Sequence, residues 1–327
     1  MKRWILPILI TLTFSGGWAI ENTGTSALNF LKIEVGGRAL GMGGAFSPIA
    51  NDASALYYNP AGIASGRTMA MFSHTKWYVG TQLNFAGIVF PIYTYGAIGL
   101  WYYGFNSGDI KETTIYNPEG TGRYFQVNDY LMGLSYAKMM TDRLSVGGTF
   151  KIVRESILHE NATVFAFDFG SLYRTSFLNE MRISFVLSNF GSMAKFEGRD
   201  LIVQVPIGRL VETEMKTYNW PIPLFFRIGA SSDVPIGKTR LTWAIDVVDS
   251  RDAPPHFNLG LEYSLRDIVF LRAGYRAGYD ENMFTGGLGV ATSLPGIGKV
   301  SVDYAYVGQT GAALLGTTHR LSLGIDF

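Results

Sequence analysis

From Arg67 onward, apolar and polar positions alternate with a period of two. Leu241, Trp243, Ile245 and Val247 alternate with Thr242, Ala244 and Asp246. Val300, Val302, Tyr304 and Tyr306 alternate with Lys299, Ser301, Asp303 and Ala305. The runs around Leu144–Ile152 and Met181–Leu187 repeat the pattern. Successive side chains of a strand point to opposite faces, so each run has one apolar and one polar face. About fourteen such segments follow one another: 67–78, 82–91, 94–104, 127–138, 143–156, 162–173, 181–190, 223–232, 239–249, 256–264, 268–277, 282–293, 299–307 and 318–327. Their length, about ten residues, suits a tilted strand crossing a bilayer. The turns near Tyr93, Thr141, Ser176, Pro235, Arg266 and Gly296 are short and would share one end. The long connections, 105–126 and 191–222, would share the other. Outer-membrane barrels sort short and long connections in this way. The pattern predicts an all-β fold: an antiparallel transmembrane barrel of about fourteen strands over residues 67–327.

Composition supports a membrane setting. Charged residues make up 16% of the 327, aromatics 14%, and the formal net charge is +1. Charge is scarcer than in soluble domains, and the balance of signs argues against a nucleic-acid partner. There is no cysteine, which excludes disulfide and thiol chemistry. Lys2 and Arg3, an apolar run from Ile5 to Phe14, and Gly17-Trp18-Ala19 read as a cleavable signal peptide over 1–19. Its apolar run is too short to span a bilayer as a helix.

Fourteen strands enclose more space than their side chains fill, but less than a sixteen-stranded porin. Residues 20–66 are the available filling. Ser26 would cap a helix from Ala27 to Val35 that stops at Gly36, and Asp52 would cap a turn through Tyr57 that ends at Asn59-Pro60. The stretch Gly36–Gly66 is small-sided and nearly uncharged.

The elements Asn51-Asp52-Ala53-Ser54-Ala55 and Asn59-Pro60-Ala61-Gly62 resemble the N-terminal hatch of FadL-type outer-membrane channels, the long-chain fatty acid transport superfamily. The run Phe30-Leu31-Lys32-Ile33 followed by the block Gly37-Arg38-Ala39-Leu40-Gly41-Met42-Gly43-Gly44-Ala45-Phe46 resembles more specifically the PorV/PorQ branch, associated with type IX secretion. The resemblance implies that residues 20–66 sit as a hatch inside the barrel, with Asn59, Pro60 and Ala61 in the plug. The last strand places Leu321, Leu323, Ile325 and Phe327 on one face. A terminal Phe327 resembles the signal read by the barrel-assembly machinery.

Lys151, Asp168, Arg182, Arg227, Asp246, Glu262, Arg272, Arg276, Asp303, Arg320 and Asp326 fall on the face expected to line the lumen. Two uses are open. They pair with one another and with the plug, or Arg182, Arg227, Asp246, Glu262, Arg272 and Arg276 line a path in which an arginine grips a carboxylate head group. Trp101 to Tyr103 are expected in the interfacial aromatic girdle.

No catalytic constellation emerges. Gly41-Met42-Gly43-Gly44 lacks the βαβ setting of a dinucleotide loop. His74, His159, His256 and His319 lack metal-ligand spacing. The expectation is a non-enzymatic protein without cofactor or metal, in the outer membrane of a Gram-negative-type bacterium. Expected partners are outer-membrane lipid and the barrel-assembly machinery. The branch resemblance adds secreted proteins or secretion-system components, for a role in secretion or surface attachment. The alternative is a FadL-like channel for long-chain fatty acids or another hydrophobic small molecule.

Overall fold

In the computed structural model, which describes residues 23–206, 210–279, 283–309 and 317–327, the alternating runs form the wall of one closed barrel. The expected signal peptide at 1–19 lies outside the described residues. The strands are β1 Met69–Lys76, β2 Gln82–Ile92, β3 Gly96–Asn106, β4 Val127–Met139, β5 Leu144–Ile157, β6 Glu160–Arg174 and β7 Arg182–Gly191. They continue as β8 Phe225–Ile236, β9 Thr239–Ser250, β10 Ala253–Leu265, β11 Val269–Ala277, β12 Met283–Leu294, β13 Gly298–Gln309 and β14 Thr318–Asp326. Each pairs antiparallel with its sequence neighbours.

Closure is made by β1 and β14, whose register runs from Met69↔Asp326 to Lys76↔His319. Beyond it, the Phe327 amide donates to the Thr68 carbonyl at 2.9 Å. A closed ladder leaves no edge, and hydrocarbon tolerates no unpaired backbone. Phe72, Leu100, Met132, Phe169, Leu271, Leu288 and Leu323 are exposed and project outward, an apolar coat suited to lipid. Among the described residues no helix is long and apolar enough to cross a membrane.

The wall is least regular where β6 meets β7. The register shifts between Phe167 and Phe169, and Asn189 has a positive φ of 63°. Beyond Gly191 the chain leaves the wall, and Glu197-Gly198 returns to pair with Asn161 and Glu160. The long connections contain two small hairpins, one pairing Ile202–Pro206 with Leu210–Glu214 and one pairing Ile110-Lys111 with Tyr124-Phe125. We call the end with these connections outer, and the end with the short turns inner.

Two expectations are corrected. No helix spans 27–35; only a 3-10 turn forms, Asn29–Lys32. Leu28 is left-handed at φ 58°, and its amide donates to Glu155 Oε2 on the wall at 3.2 Å. That long-range bond overrides the local helical spacing. Trp101 and Tyr103 do not join the aromatic girdle, because both side chains are buried inside the barrel. Ala97, Gly99, Trp101 and Tyr103 share one strand face, so parity along β3 outweighs the aromatic preference for interfaces.

Candidate functional site

Residues 28–64 are almost wholly buried and lie against the inner face of the wall. Four short elements shape them: the turn at 29–32, an α-helical turn Gly37–Gly41, another at Ala55–Tyr58, and a 3-10 helix Pro60–Ser65. The glycine block is explained by closeness. A Cβ on Gly37 would sit 2.7 Å from the Asp303 carbonyl oxygen, and one on Gly41 3.0 Å from the Gly287 Cα. Gly43 and Gly44 both have positive φ, 68° and 79°. Met42 fills the space left by Gly260, where a Cβ would lie 2.5 Å from the Met42 carbonyl oxygen.

Polar anchors hold the segment at several points of the circumference. Asn59 is fully buried. Its Oδ1 accepts from the Ala61 amide at 3.0 Å, and its Nδ2 donates to the carbonyls of Ser47 and Ser171, both at 3.1 Å. Pro60 lies against the bare backbones of Gly147 and Gly170. Gly62 packs so tightly that a Cβ would fall 1.9 Å from the Ala50 carbonyl oxygen. Three strands further round, on β9, Asp246 accepts from the amides of Phe46 and Ser47 at 3.0 and 2.9 Å and from Ser47 Oγ at 2.6 Å. The Gly37 amide donates to Ser322 Oγ at 2.7 Å.

A chain of charge links the segment to β10, β11 and β13. Arg38 Nε donates to Glu262 Oε2 at 2.9 Å, Arg272 Nε donates to the same oxygen at 2.7 Å, and Arg272 Nη1 donates to Asp303 Oδ1 at 2.7 Å. Arg38 also reaches Asn51 Oδ1 at 2.7 Å and Asp52 Oδ2 at 3.1 Å. Asp52 Oδ1 in turn accepts from the Ser54 amide at 2.9 Å. Lys151 pairs with Asp168 at 2.6 Å below the Trp101 ring. Arg182 pairs within the wall, its Nη2 meeting Asp233 Oδ1 at 3.1 Å. These bonds occupy Arg38, Asp246, Glu262 and Arg272, so they serve anchoring. Arg227 and Arg276 instead face Glu34 on the segment, at 3.7 and 3.1 Å.

Two cavities flank the buried segment. The inner one, about 790 Å³, is lined by Asn51, Arg67, Arg182, Asp233, Arg240 and Asp267 among others. The outer one, about 400 Å³, is lined by Trp77, Glu34, Arg227, Arg276, Tyr279 and Arg320 among others. Beneath the outer cavity lies an aromatic cluster of Phe30, Phe46, Tyr57, Tyr58 and Tyr103. Burial pushes the Tyr57 and Tyr58 phenols up, so both stay neutral donors at physiological pH. Tyr57 donates to the Leu31 carbonyl at 3.1 Å and Tyr58 to that of Val35 at 2.9 Å. Among the described residues no cluster of His, Cys, Asp or Glu could hold a metal ion.

Sequence reasoning did not single out Glu34, whose position fell within an expected helix, and it gave Arg320 no ligand role. The alternation along β14 was the available signal for Arg320. For Glu34 there was none, since its partners come from β8 and β11.

The sequence matches no protein-family profile and no curated protein. Solved structures do resemble it. The CymD monoaromatic hydrocarbon channel superposes with a TM-score of 0.59 at 12% identity, covering 92% of this chain and 98% of that one. The Ralstonia pickettii toluene transporter TbuX gives 0.58 at 13%, covering 89% and 97%. A Pseudomonas aeruginosa FadL homologue gives 0.53 at 12%, covering 90% and 98%. At such identities the likeness speaks to architecture, and in architecture this chain is a fourteen-stranded barrel with the fold of FadL-type outer-membrane channels.

Proposed function

We propose that the protein is an outer-membrane channel for hydrophobic compounds, closed at rest by residues 23–66. The observation that carries this reading is the arrangement of the interior. A closed barrel has an apolar coat outside, a cavity at each end, and a buried segment between the two. The segment is bonded to the wall through side chains rather than through a continuous ladder, so it can shift without opening the barrel. The hydrocarbon channels that share the fold favour this reading over secretion.

The absence of cysteine makes a clean test available. Ser47 on the segment and Ser184 on β7 face each other with their Oγ atoms 2.7 Å apart. A disulfide from S47C/S184C fits that approach. In a Gram-negative host lacking its own channel of this type, the chain should confer uptake of radiolabelled toluene or oleate. Oxidised S47C/S184C should abolish the uptake, and reductant should restore it. Uptake that ignores the crosslink removes the proposal.

Secretion or surface attachment rests on the resemblance of Phe30–Ile33 and the Gly37–Phe46 block. Contacts with the wall already account for Gly37, Gly41 and Gly43 there, and salt bridges account for Arg38. Wild-type levels of secreted and surface proteins after gene deletion would remove that reading.

A further inference from the structure

At the closing seam the outside of the wall changes character toward its outer end. The register pairs outward-facing residues directly across β13, β14, β1 and β2, so they fall into rows. One row is Val302, Leu323, Phe72 and Ala86, apolar throughout. Two residues further out along each strand the row is Tyr304, Leu321, His74 and Asn84. Two further again it is Tyr306, His319, Lys76 and Gln82, with no aliphatic side chain left. All four side chains of this last row are exposed. Contact with hydrocarbon therefore ends at the middle row, and the last row stands at the level of lipid headgroups.

That row carries a positive charge which its surroundings do not neutralise. Residues 68–92 contain no Asp or Glu, and neither do residues 304–325. Asp303 and Asp326, which bound the second stretch, are engaged with Arg272 and Arg67, so among the described residues Lys76 has no carboxylate partner. The imidazoles on either side of it are held by other groups. His74 Nδ1 donates to Asn84 Oδ1 at 2.8 Å. His319 Nδ1 and the Tyr304 hydroxyl lie 2.7 Å apart, and the His319 ring meets the Tyr306 ring edge-on at 5.8 Å. Strand spacing sets the four backbones of the last row within about 14 Å of one another. A lysine on the outside of a barrel is tolerated only near the interface, and an anion at that level turns the tolerance into attraction.

We propose that this sector docks a lipid of the outer leaflet whose sugar headgroup carries a phosphate monoester, with Lys76 paired to the phosphate and the acyl chains lying over Val302, Leu323 and Phe72. A phosphate monoester carries a charge of about −1.5 to −2 at neutral pH, so it stays anionic after pairing with one lysine. Gln82 and Tyr306, at the two ends of the row, offer neutral donors to its remaining oxygens. A row four residues wide, with the exposed rings of His319 and Tyr306, matches a sugar headgroup better than a compact glycerol one. Docking requires only the barrel and its orientation in the membrane, not the channel.

The test is native mass spectrometry of the full chain, released from nonionic micelles containing lipid A (a diphosphorylated disaccharide lipid), its dephosphorylated analogue or phosphatidylglycerol. The native chain should retain the phosphorylated glycolipid about fivefold better than the dephosphorylated one, the size expected for one lysine beside an anionic headgroup. K76Q should erase the preference, K76R should keep it, and K76E should reverse it. K216Q, at an exposed lysine of the outer connections, should behave as the native chain. Heat-shifted migration on gels verifies that each variant is folded; if K76Q is not, K76R and the comparison of lipids on the native chain decide. Equal retention of the phosphorylated and dephosphorylated lipids, the behaviour of a merely apolar coat, overturns the proposal. So does a preference that survives in folded K76Q, and so does retention of phosphatidylglycerol as strong as that of lipid A. Failure here leaves the channel reading standing, and absence of toluene uptake leaves the docking surface standing.

Discussion

Replacing Asn59 with alanine should free the N-terminal segment while sparing the barrel. The side chain makes three hydrogen bonds, to the Ala61 amide and to the carbonyls of Ser47 and Ser171. The two bonds to carbonyls contribute about 1 kcal/mol each net, and stranding the Ala61 donor in a dry interior costs about 1–3 kcal/mol. The expected loss is therefore about 3–5 kcal/mol, charged to the segment because no strand of the barrel ladder depends on Asn59. The assay is hydrogen exchange at amides whose own acceptors the substitution leaves in place: Gly62 bonded to the Asn59 carbonyl, Asn59 bonded to Ala55, and Ser47 bonded to Asp246. If the segment opens as a unit, a loss of about 3 kcal/mol speeds exchange at all three by about a hundredfold. Asn59→Asp should do at least as much, since it puts a carboxylate where two carbonyls need a donor. Unchanged exchange at Gly62 and Ser47 in Asn59→Ala, or equal acceleration of β-ladder amides, would refute the reasoning.

Two further outcomes are expected. Gly62→Ala should make the segment cleavable by trypsin at Arg38 and Arg67 in the folded protein, because the added Cβ meets the Ala50 carbonyl at 1.9 Å. Gly286→Ala, with nothing within 4 Å, should remain as resistant as the native chain; equal resistance of both variants would reject the packing argument. Removing Phe327 should lower the amount of heat-modifiable protein in outer membranes without lowering the melting point of what is inserted. It deletes one backbone bond, to Thr68, at the end of an otherwise complete seam. An unchanged amount would mean that Phe327 does not act in assembly.

The strands were legible because a barrel wall meets two different environments, and alternation records both. The segment expected at 127–138 is Val127–Met139, and that at 299–307 is Gly298–Gln309. The same parity placed Arg272 and Asp303 on one face before any contact was known. What parity cannot carry is partnership. Arg38 meets Glu262 across 224 positions of sequence, and nothing local to either residue specifies the other. The helix expected over 27–35 failed for the same reason, since its spacing was correct for a free helix and the Leu28 bond to Glu155 is not local. Trp101 failed differently. Its parity points inward, to Ser135 Oγ at 3.2 Å and to Lys151 beneath its ring, and strand parity outweighs the interfacial preference of an aromatic residue.

The anchors of the segment are unequal, and that inequality orders its release. Residues 46–62 are held by Asp246, with its three accepted bonds, and by Asn59, with its three, all buried away from both cavities. Residues 28–35 border the outer cavity and are held there by Glu34 without hydrogen-bond geometry, by Lys32, whose side chain is 30% exposed, and by two part-buried bonds, the Leu28 amide to Glu155 Oε2 at 3.2 Å and the Tyr103 hydroxyl to the Ile33 carbonyl at 2.7 Å. Water in the outer cavity lies beside these contacts, whereas it cannot reach those of Asp246 and Asn59 until the segment has already moved. Gly36, at φ 85°, lies between the two parts and tolerates the backbone rotation a hinge needs. Opening thus begins at the outer end and proceeds inward, the direction in which cargo would arrive. In the exchange experiment on the native chain, the Ile33 amide, bonded to Phe30 at 3.0 Å, should then exchange well before that of Ser47. The reverse order would place the first movement at the inner end and make the outer cavity a dead end.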